Sequence, residues 1–124
     1  MIKAIVLDMD GVLRIGDRPI PDANKFLSLL NCEHIPYMIS TNECRYTCDE
    51  LRNDLSEMEI DVPSSVPIYT AGMAVRDYLA KLLTKRQDQQ YCVGIIGERG
   101  LIEVINELTE QYPNIRLSKF PDKR

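Results

Sequence analysis

The sequence lacks tryptophan, has a single histidine and two phenylalanines, and contains no long apolar run. A helix that spans a bilayer needs about 20 consecutive apolar residues, so the sequence predicts no membrane partner. The amino-terminal segment also lacks the apolar stretch of a secretory signal, because its short apolar run meets Asp8 at once. We therefore expect a cytoplasmic location.

The four cysteines show no Cys-x-x-Cys pair. In a reducing compartment, scattered thiols are more often small buried apolar residues than a disulfide framework or a zinc site. Cys44 and Cys48 lie four residues apart on a predicted helix, a spacing that can bind metal, but core packing is the preferred interpretation. His34 stands in a loop without a partner motif and is interpreted as a surface residue.

Charge is modest and slightly acidic, with 15 Lys and Arg against 19 Asp and Glu and a net charge of −4. The basic cluster Lys81–Arg86 is too short to form a basic stripe, and nucleic acid is therefore not expected as a partner. Hydrophobic residues make up 44% of the 124 positions. This content argues against disorder and fits one ordinary domain or part of a larger one.

Apolar segments alternate with amphipathic helices along the chain. We predict strands at Ile2–Leu7, Tyr37–Ile39, Ile68–Thr70 and Tyr91–Ile96, and a last strand at Ile115–Leu117. The first strand is rich in β-branched residues and is expected to be buried on both faces. Strands that alternate with helices predict a parallel, doubly wound α/β sheet with its ligand site at the carboxyl ends of the strands.

Four helices are predicted around these strands. The first is capped by Asp22 and buries Ala23, Phe26, Leu27 and Leu30; the second carries Cys44, Cys48, Leu51, Leu55 and Met58 on its buried stripe. The third is Gly72–Thr84, with Val75, Leu79 and Leu82 on one side, and the fourth is Leu101–Tyr112. A polar linker at Lys85–Gln90 precedes the fourth strand.

A pair of carboxylates follows the first strand directly, in the sequence Asp8-Met9-Asp10-Gly11. Two carboxylates about 4 Å apart repel each other by about 4 kcal/mol at an effective dielectric constant of 20, unless a cation or proton lies between them. Mg²⁺ suits such a place because it prefers oxygen ligands and is often shared with a substrate phosphate. One carboxylate can then attack phosphorus while the other passes a proton to the leaving oxygen.

Two other structures, an EF-hand calcium loop and a plain turn, also contain aspartate and glycine at this spacing. A calcium loop of the EF-hand type has glycine at its sixth position and glutamate at its twelfth. Counted from Asp8, these positions hold Leu13 and Pro19, so an EF-hand is excluded. These four residues alone do not exclude a plain turn at the end of the strand, because aspartate and glycine are favoured turn residues.

The segment Ile5–Gly16, followed by Pro19-Ile-Pro-Asp-Ala, resembles the first motif and flap of the haloacid dehalogenase (HAD) superfamily of phosphotransferases. Ser40-Thr41-Asn42 resembles its second motif, and Ile68–Ala74 with Val93–Leu101 resembles the third core strand and the start of the cap. The similarity is greatest to subclass IIA, the branch that contains NagD-like, p-nitrophenyl-phosphate, phosphoglycolate and pyridoxal phosphatases.

This resemblance implies a partial HAD core of three strands over residues 1–71 and the start of an α/β cap over residues 72–124. It also implies a magnesium-dependent phosphatase for a small phosphorylated metabolite. Asp8 would be the nucleophile that forms an aspartyl-phosphate, and Asp10 the general acid and then base. Mg²⁺ would bind the Asp8 carboxylate and the Asp10 carbonyl, while Thr41, Asn42 and backbone N–H groups around Asp10 and Gly11 would bind phosphate.

The family has two further motifs, a lysine at the start of a helix after the cap and an acidic pair on the fourth core strand. Neither motif has a counterpart in this sequence, which therefore departs from the family pattern. Lys81, Lys85, Lys119 and Lys123 match the cap region and are given no such role. We therefore expect a truncated protein that binds metal and substrate weakly, with an open sheet edge that associates with a second copy or a missing remainder. The alternative is a catalytically inactive fragment that acts as a binding or regulatory module. Transfer of the phosphoryl group to an acceptor other than water is a third interpretation.

Glu43 is a further departure, since the branch usually continues Thr-Asn with an uncharged polar residue. Either Glu43 turns into solvent at a helix start, where negative charge is favoured, or part of the phosphate site is lost. The first interpretation is preferred because acidic residues are common in first turns. Gly94, Gly97 and Gly100 follow a GxxGxxG spacing, not GxGxxG, and are interpreted as cap backbone geometry.

Overall fold

The computed structural model describes residues 1–85 and 88–120, with residues 119 and 120 described by their backbone alone. In chain order the elements are β1 (Ile5–Asp8), β2 (Arg14–Ile15), β3 (Arg18–Pro19), α1 (Ala23–Cys32), β4 (Tyr37–Thr41), α2 (Cys48–Glu57), β5 (Ile68–Thr70), α3 (Ala71–Thr84), β6 (Tyr91–Ile96), α4 (Arg99–Gln111) and β7 (Ile115–Phe120). Part of the predicted linker at Lys85–Gln90, together with Lys123, lies outside the described residues.

The chain forms two compact units. The first unit is Met1–Asn42 with Cys48–Tyr69, and the second is Glu43–Thr47 with the described residues from Thr70 onward. The division expected at residues 71 and 72 stays a prediction about domains.

A three-stranded sheet in the order β1-β4-β5 organises the first unit. β1 and β4 are parallel, with Ile5 opposite Tyr37 and Asp8 opposite Ser40. The predicted α/β class with a three-stranded parallel core is confirmed. Because parallel strands end at the same edge, the register brings Asp8 next to the residues that end β4.

The core of the first unit lies between this sheet and helices α1 and α2. Its fully buried side chains include Leu27, Leu30, Ile39, Leu51 and Leu55, each of which contributes about 1.5–3 kcal/mol when buried. β1 is covered on one face only, since Leu7 is buried while Val6 is 65% exposed. The expectation that this strand is buried on both faces is therefore wrong within this chain.

Local hydrogen bonds explain where the first two helices depart from prediction. Asp22 is in the left-handed region, with a φ of 66°, and its carboxylate pairs with Lys25 at 2.6 Å instead of capping α1. Phe26 is 41% exposed, not buried. α2 begins at Cys48, so Cys44 is not on its buried stripe; the Glu43 carboxylate accepts the N–H groups of Cys44 and Arg45 and holds that segment in a turn.

The second unit contains a parallel pair of strands, β6 and β7, with α3 and α4. Its core is formed by Leu83, Ile95, Ile105, Leu108 and Ile115. Thr70 caps α3 by accepting the N–H of Met73 at 3.3 Å. Val75 and Leu82 are exposed, against prediction, because the buried side of α3 centres on Leu83, with Leu79 and Ala80 partly buried beside it.

Gly100 permits a close approach of backbone within the second unit. Its N–H donates to the carbonyl of Arg45 at 2.9 Å, and a Cβ at this position would lie 2.3 Å from the carbonyl oxygen of Tyr46. None of the described helices combines the length and apolarity that crossing a membrane requires.

Candidate active site

Residues from β1 and β4 line one shallow pocket at the carboxyl ends of these strands. The lining residues are Val6, Asp8, Ser40, Thr41 and Asn42. Asp8, Thr41 and Asn42 were predicted as site residues, and they are brought together here because β1 and β4 are parallel and in register. Ser40 was not predicted as a site residue. Its position directly before Thr41 is the sequence feature that could have indicated it.

Asp8 ends β1 and its side chain is exposed at the strand end. Its Oδ1 atom accepts the backbone N–H of Met9 at 2.8 Å. Met9 itself is fully buried, so this hydrogen bond joins the carboxylate to a residue fixed in the core. The Asp8 carboxylate is thus oriented while it stays accessible to a ligand.

Thr41 and Asn42 differ in how firmly they are held. Thr41 ends β4 and is buried, whereas Asn42 directly after it is exposed. Burial keeps the threonine hydroxyl oxygen in a defined position, and its hydrogen can turn to donate to a single phosphate oxygen. An exposed asparagine is free to adjust its amide to a ligand.

Asp10 and Gly11 lie in a tight turn that follows Met9. The carbonyl of Met9 accepts the N–H groups of Leu13 at 2.9 Å and Arg14 at 3.1 Å. Gly11 has a φ of 86°, in the left-handed region that favours glycine. Its N–H donates to the carbonyl of Arg14 at 2.7 Å, so in this conformation it is engaged in the turn, and its phosphate role stays a prediction.

Arg14 is a partner of the predicted site residue Asp10 that sequence reasoning missed. Its Nε atom donates to Asp10 Oδ1 at 2.9 Å, and its Nη1 lies 3.7 Å from Asp54 Oδ2 on α2. The Arg14 side chain is 9% exposed, which is unusual for arginine and requires paired carboxylates. Its position between the apolar residues Leu13 and Ile15 is a weak signal of this burial.

The donor chemistry of Asp8 and Asp10 fits a hard divalent cation. Carboxylate and carbonyl oxygens are the ligands that Mg²⁺ prefers, and Asp8 presents an exposed carboxylate. The Asp10 carboxylate is paired with Arg14, so a metal there would rely on the Asp10 carbonyl. Within the described part of the chain no group of three or more histidine, cysteine or acidic side chains could hold a metal.

The preferred interpretation of Glu43, a side chain turned into solvent at a helix start, is wrong. Glu43 precedes a turn, not a helix, and its side chain is 9% exposed. Its carboxylate forms a bidentate pair with the guanidinium of Arg45, with contacts of 2.8 and 3.1 Å. Hydrogen bonding to Arg45 lowers the pKa of Glu43 to about 2, even though burial opposes the shift. The negative charge that was expected to repel phosphate is therefore compensated locally.

Residues 5–109 match the family of haloacid dehalogenase-like hydrolases. The acid sugar phosphatase of Staphylococcus aureus (strain USA300) is 30% identical over 105 residues, which are 85% of this chain and 38% of that protein. A hypothetical protein from Pyrococcus horikoshii OT3 is 35% identical, with a TM-score of 0.74, over 92% of this chain and 40% of that one. NagD from E. coli K-12 is 32% identical, with a TM-score of 0.71, over 86% of this chain and 40% of that one. The chain spans about two fifths of the length of these relatives.

Proposed function

Because this chain belongs to the haloacid dehalogenase-like hydrolases, in their NagD-like branch, we propose that its site hydrolyses phosphate monoesters with Mg²⁺. The observation that carries the proposal is the shared pocket of Asp8, Thr41 and Asn42 at the ends of two parallel strands. An exposed carboxylate beside a buried hydroxyl matches what phosphoryl transfer requires, a nucleophile and a group that positions the phosphate.

The reaction proceeds in two displacements. An Asp8 oxygen attacks phosphorus, the bond from phosphorus to the ester oxygen breaks, and Asp10 gives a proton to that leaving oxygen. Water then attacks the aspartyl-phosphate while Asp10 accepts its proton, and the bond from phosphorus to Asp8 breaks to release phosphate. Thr41 and Asn42 hold the phosphate oxygens in line with Asp8 throughout.

Mg²⁺ would be held by the Asp8 carboxylate and the Asp10 carbonyl, and it would offset negative charge on the phosphate. The Asp8 carboxylate and a phosphate dianion carry three formal negative charges, Asp10 adds a fourth whenever it is ionised, and Mg²⁺ would compensate two of them. Arg14 lies against Asp10 but is shared with Asp54, so part of the charge stays uncompensated. We therefore expect weak substrate binding, with a KM at or above about 1 mM, the upper end of the usual range.

Small sugar phosphates are the first natural substrates to test. A curated relative is named an acid sugar phosphatase, and the shallow pocket leaves the organic part of a substrate in contact with few residues of the first unit. A reducing, cytoplasmic setting is proposed because none of the four cysteines, all in the described part of the chain, forms a disulfide.

We also propose that the first unit associates through β1. This strand is at the edge of its sheet, and Val6 on it is largely exposed. Edge strands with apolar surface tend to pair with other chains. The partner would be a second copy or a polypeptide that supplies the rest of the sheet.

The test is turnover of p-nitrophenyl phosphate by the purified chain, with and without Mg²⁺. Asp8→Asn removes the nucleophile with little change in volume, and Asp17→Asn, at an exposed position in the β2–β3 turn, is the matched control. We expect magnesium-dependent turnover that Asp8→Asn abolishes and Asp17→Asn retains. Turnover that is equal in the wild type and Asp8→Asn would refute the proposed activity for this chain.

A further inference from the structure

Arg14 is anchored on both its backbone and its side chain. Its N–H donates to Met9, its carbonyl accepts from Gly11, and it begins the β2–β3 hairpin. The guanidinium is buried and faces two carboxylates, Asp10 and Asp54. A side chain held in this way has little freedom to follow Asp10 if Asp10 moves.

The Asp10 carboxylate is less firmly fixed than its partner. Its side chain is 53% exposed, and Oδ1 is 2.9 Å from Arg14 Nε. Asp10 does not line the pocket that holds Asp8, Thr41 and Asn42. A general acid has to come within hydrogen-bond distance of the leaving oxygen, and that oxygen is bonded to a phosphorus placed next to Asp8.

We infer that Arg14 is a positioning residue that holds Asp10 in a resting orientation away from the phosphate pocket. A ligand that fills the pocket competes for Asp10 and draws it from Arg14, while the contact with Asp54 keeps the guanidinium in place. The strength of the contact between Arg14 and Asp10 then sets what fraction of molecules is ready for proton transfer. This inference rests on the proposed function, because it assigns a regulated step to the same site.

The Nε–H group of Arg14 reports this contact directly by NMR. In the unliganded chain we expect a protected Arg14 cross-peak with slow exchange against water. Addition of Mg²⁺ with inorganic phosphate should shift this peak and speed the exchange by roughly tenfold or more, as expected when a hydrogen bond to a charged group is lost. Asp10→Ala, which removes the acceptor of this hydrogen bond, should place the peak near its liganded position before any ligand is added.

Two variants separate this effect from a general structural one. Asp54→Asn removes the second carboxylate and should leave the unliganded contact of Arg14 with Asp10 intact. Arg18→Gln, on the strand paired with β2, should leave both the Arg14 peak and its response unchanged. The wild-type titration needs no substitution at Arg14, so it stays informative even if variants of Arg14 do not fold.

The outcomes distinguish the two hypotheses. If the backbone amides around Asp8 respond to Mg²⁺ with phosphate while the Arg14 Nε–H peak does not, the positioning role is refuted and the proposed function stands. If neither responds, the pocket does not bind phosphate, and both fall. A response of both, with the Arg14 response lost in Asp10→Ala, supports the inference.

Discussion

Gly100→Ala should destabilise the second unit, because the added methyl group meets backbone that cannot rotate away. The Cβ would lie 2.3 Å from the carbonyl oxygen of Tyr46 and 2.7 Å from that of Cys44. Removing this overlap requires the Cys44–Tyr46 segment to move, which also weakens the hydrogen bond from Gly100 to Arg45.

The magnitude follows from three contributions. Overpacking in a tight site costs about 1–3 kcal/mol, and a weakened backbone hydrogen bond costs about 1 kcal/mol. Alanine gains at most about 1 kcal/mol over glycine in a helix, and the gain is smaller near a helix start. The net loss should be about 2–3 kcal/mol of unfolding free energy, or a urea midpoint about 1–2 M lower at an ordinary m-value.

Gly72 provides a matched control, since Gly72 and Gly100 are each the second residue of their helices, α3 and α4. A Cβ at Gly72 would meet its nearest neighbours at 3.6 Å, an ordinary contact. Gly72→Ala should therefore be neutral or stabilising by up to about 1 kcal/mol. Urea denaturation followed by circular dichroism measures both variants, and equal midpoints for the two would refute the close approach at Gly100.

The remaining predictions concern charge and association. Glu43→Gln should lower the unfolding free energy at neutral pH by about 1 kcal/mol, a figure kept small because Arg45 is exposed to solvent. The Glu43 carboxylate stabilises the fold above its unfolded pKa of 4.5, and this stabilisation is lost as the pH falls towards 2. Urea unfolding between pH 7 and about pH 2 should show the unfolding free energies of the wild type and Glu43→Gln converging. A difference in unfolding free energy that stays constant with pH would contradict the lowered pKa of Glu43. Val6→Lys should reduce self-association in sedimentation velocity, and Val12→Lys, at an exposed turn residue, should not; equal association in all three proteins would exclude this face of β1.

Much of the fold could be predicted because the apolar pattern is strong. β5, at Ile68–Thr70, and β6, at Tyr91–Ile96, lie where alternation and β-branched residues placed them. The errors arise where hydrogen bonds of individual side chains compete with periodicity. Glu43 holds the backbone at Cys44 in a turn, so the helical spacing of Cys44 and Cys48 was misleading.

Burial was harder to predict than secondary structure. The composition of β1 is that of a fully buried strand, yet Val6 is exposed because none of the residues that the structure describes covers its side chain. The short hairpin of β2 and β3 was also missed. Each of its strands has two residues, too few for any alternating pattern to be recognised.

The site was predictable to the extent that it depends on strand ends. Asp8 and Thr41 meet because parallel strands bring their carboxyl ends together, and this follows from topology alone. The contact of Arg14 with Asp10 was not predictable, since it depends on a turn held by the Met9 carbonyl and the left-handed Gly11. The positive charge of Arg14 against Asp10 is therefore a property of the folded chain.

The central claim, that Asp8 is the nucleophile, is tested most directly by trapping the aspartyl-phosphate. The chain would be incubated with p-nitrophenyl phosphate and Mg²⁺, quenched in acid and reduced with borohydride, which converts an acyl phosphate of aspartate to homoserine. Peptide mass spectrometry should then find homoserine at position 8 in the wild type and in Asp17→Asn, dependent on substrate and Mg²⁺. Turnover of substrate with unmodified Asp8, or modification at a different carboxylate, would contradict the account.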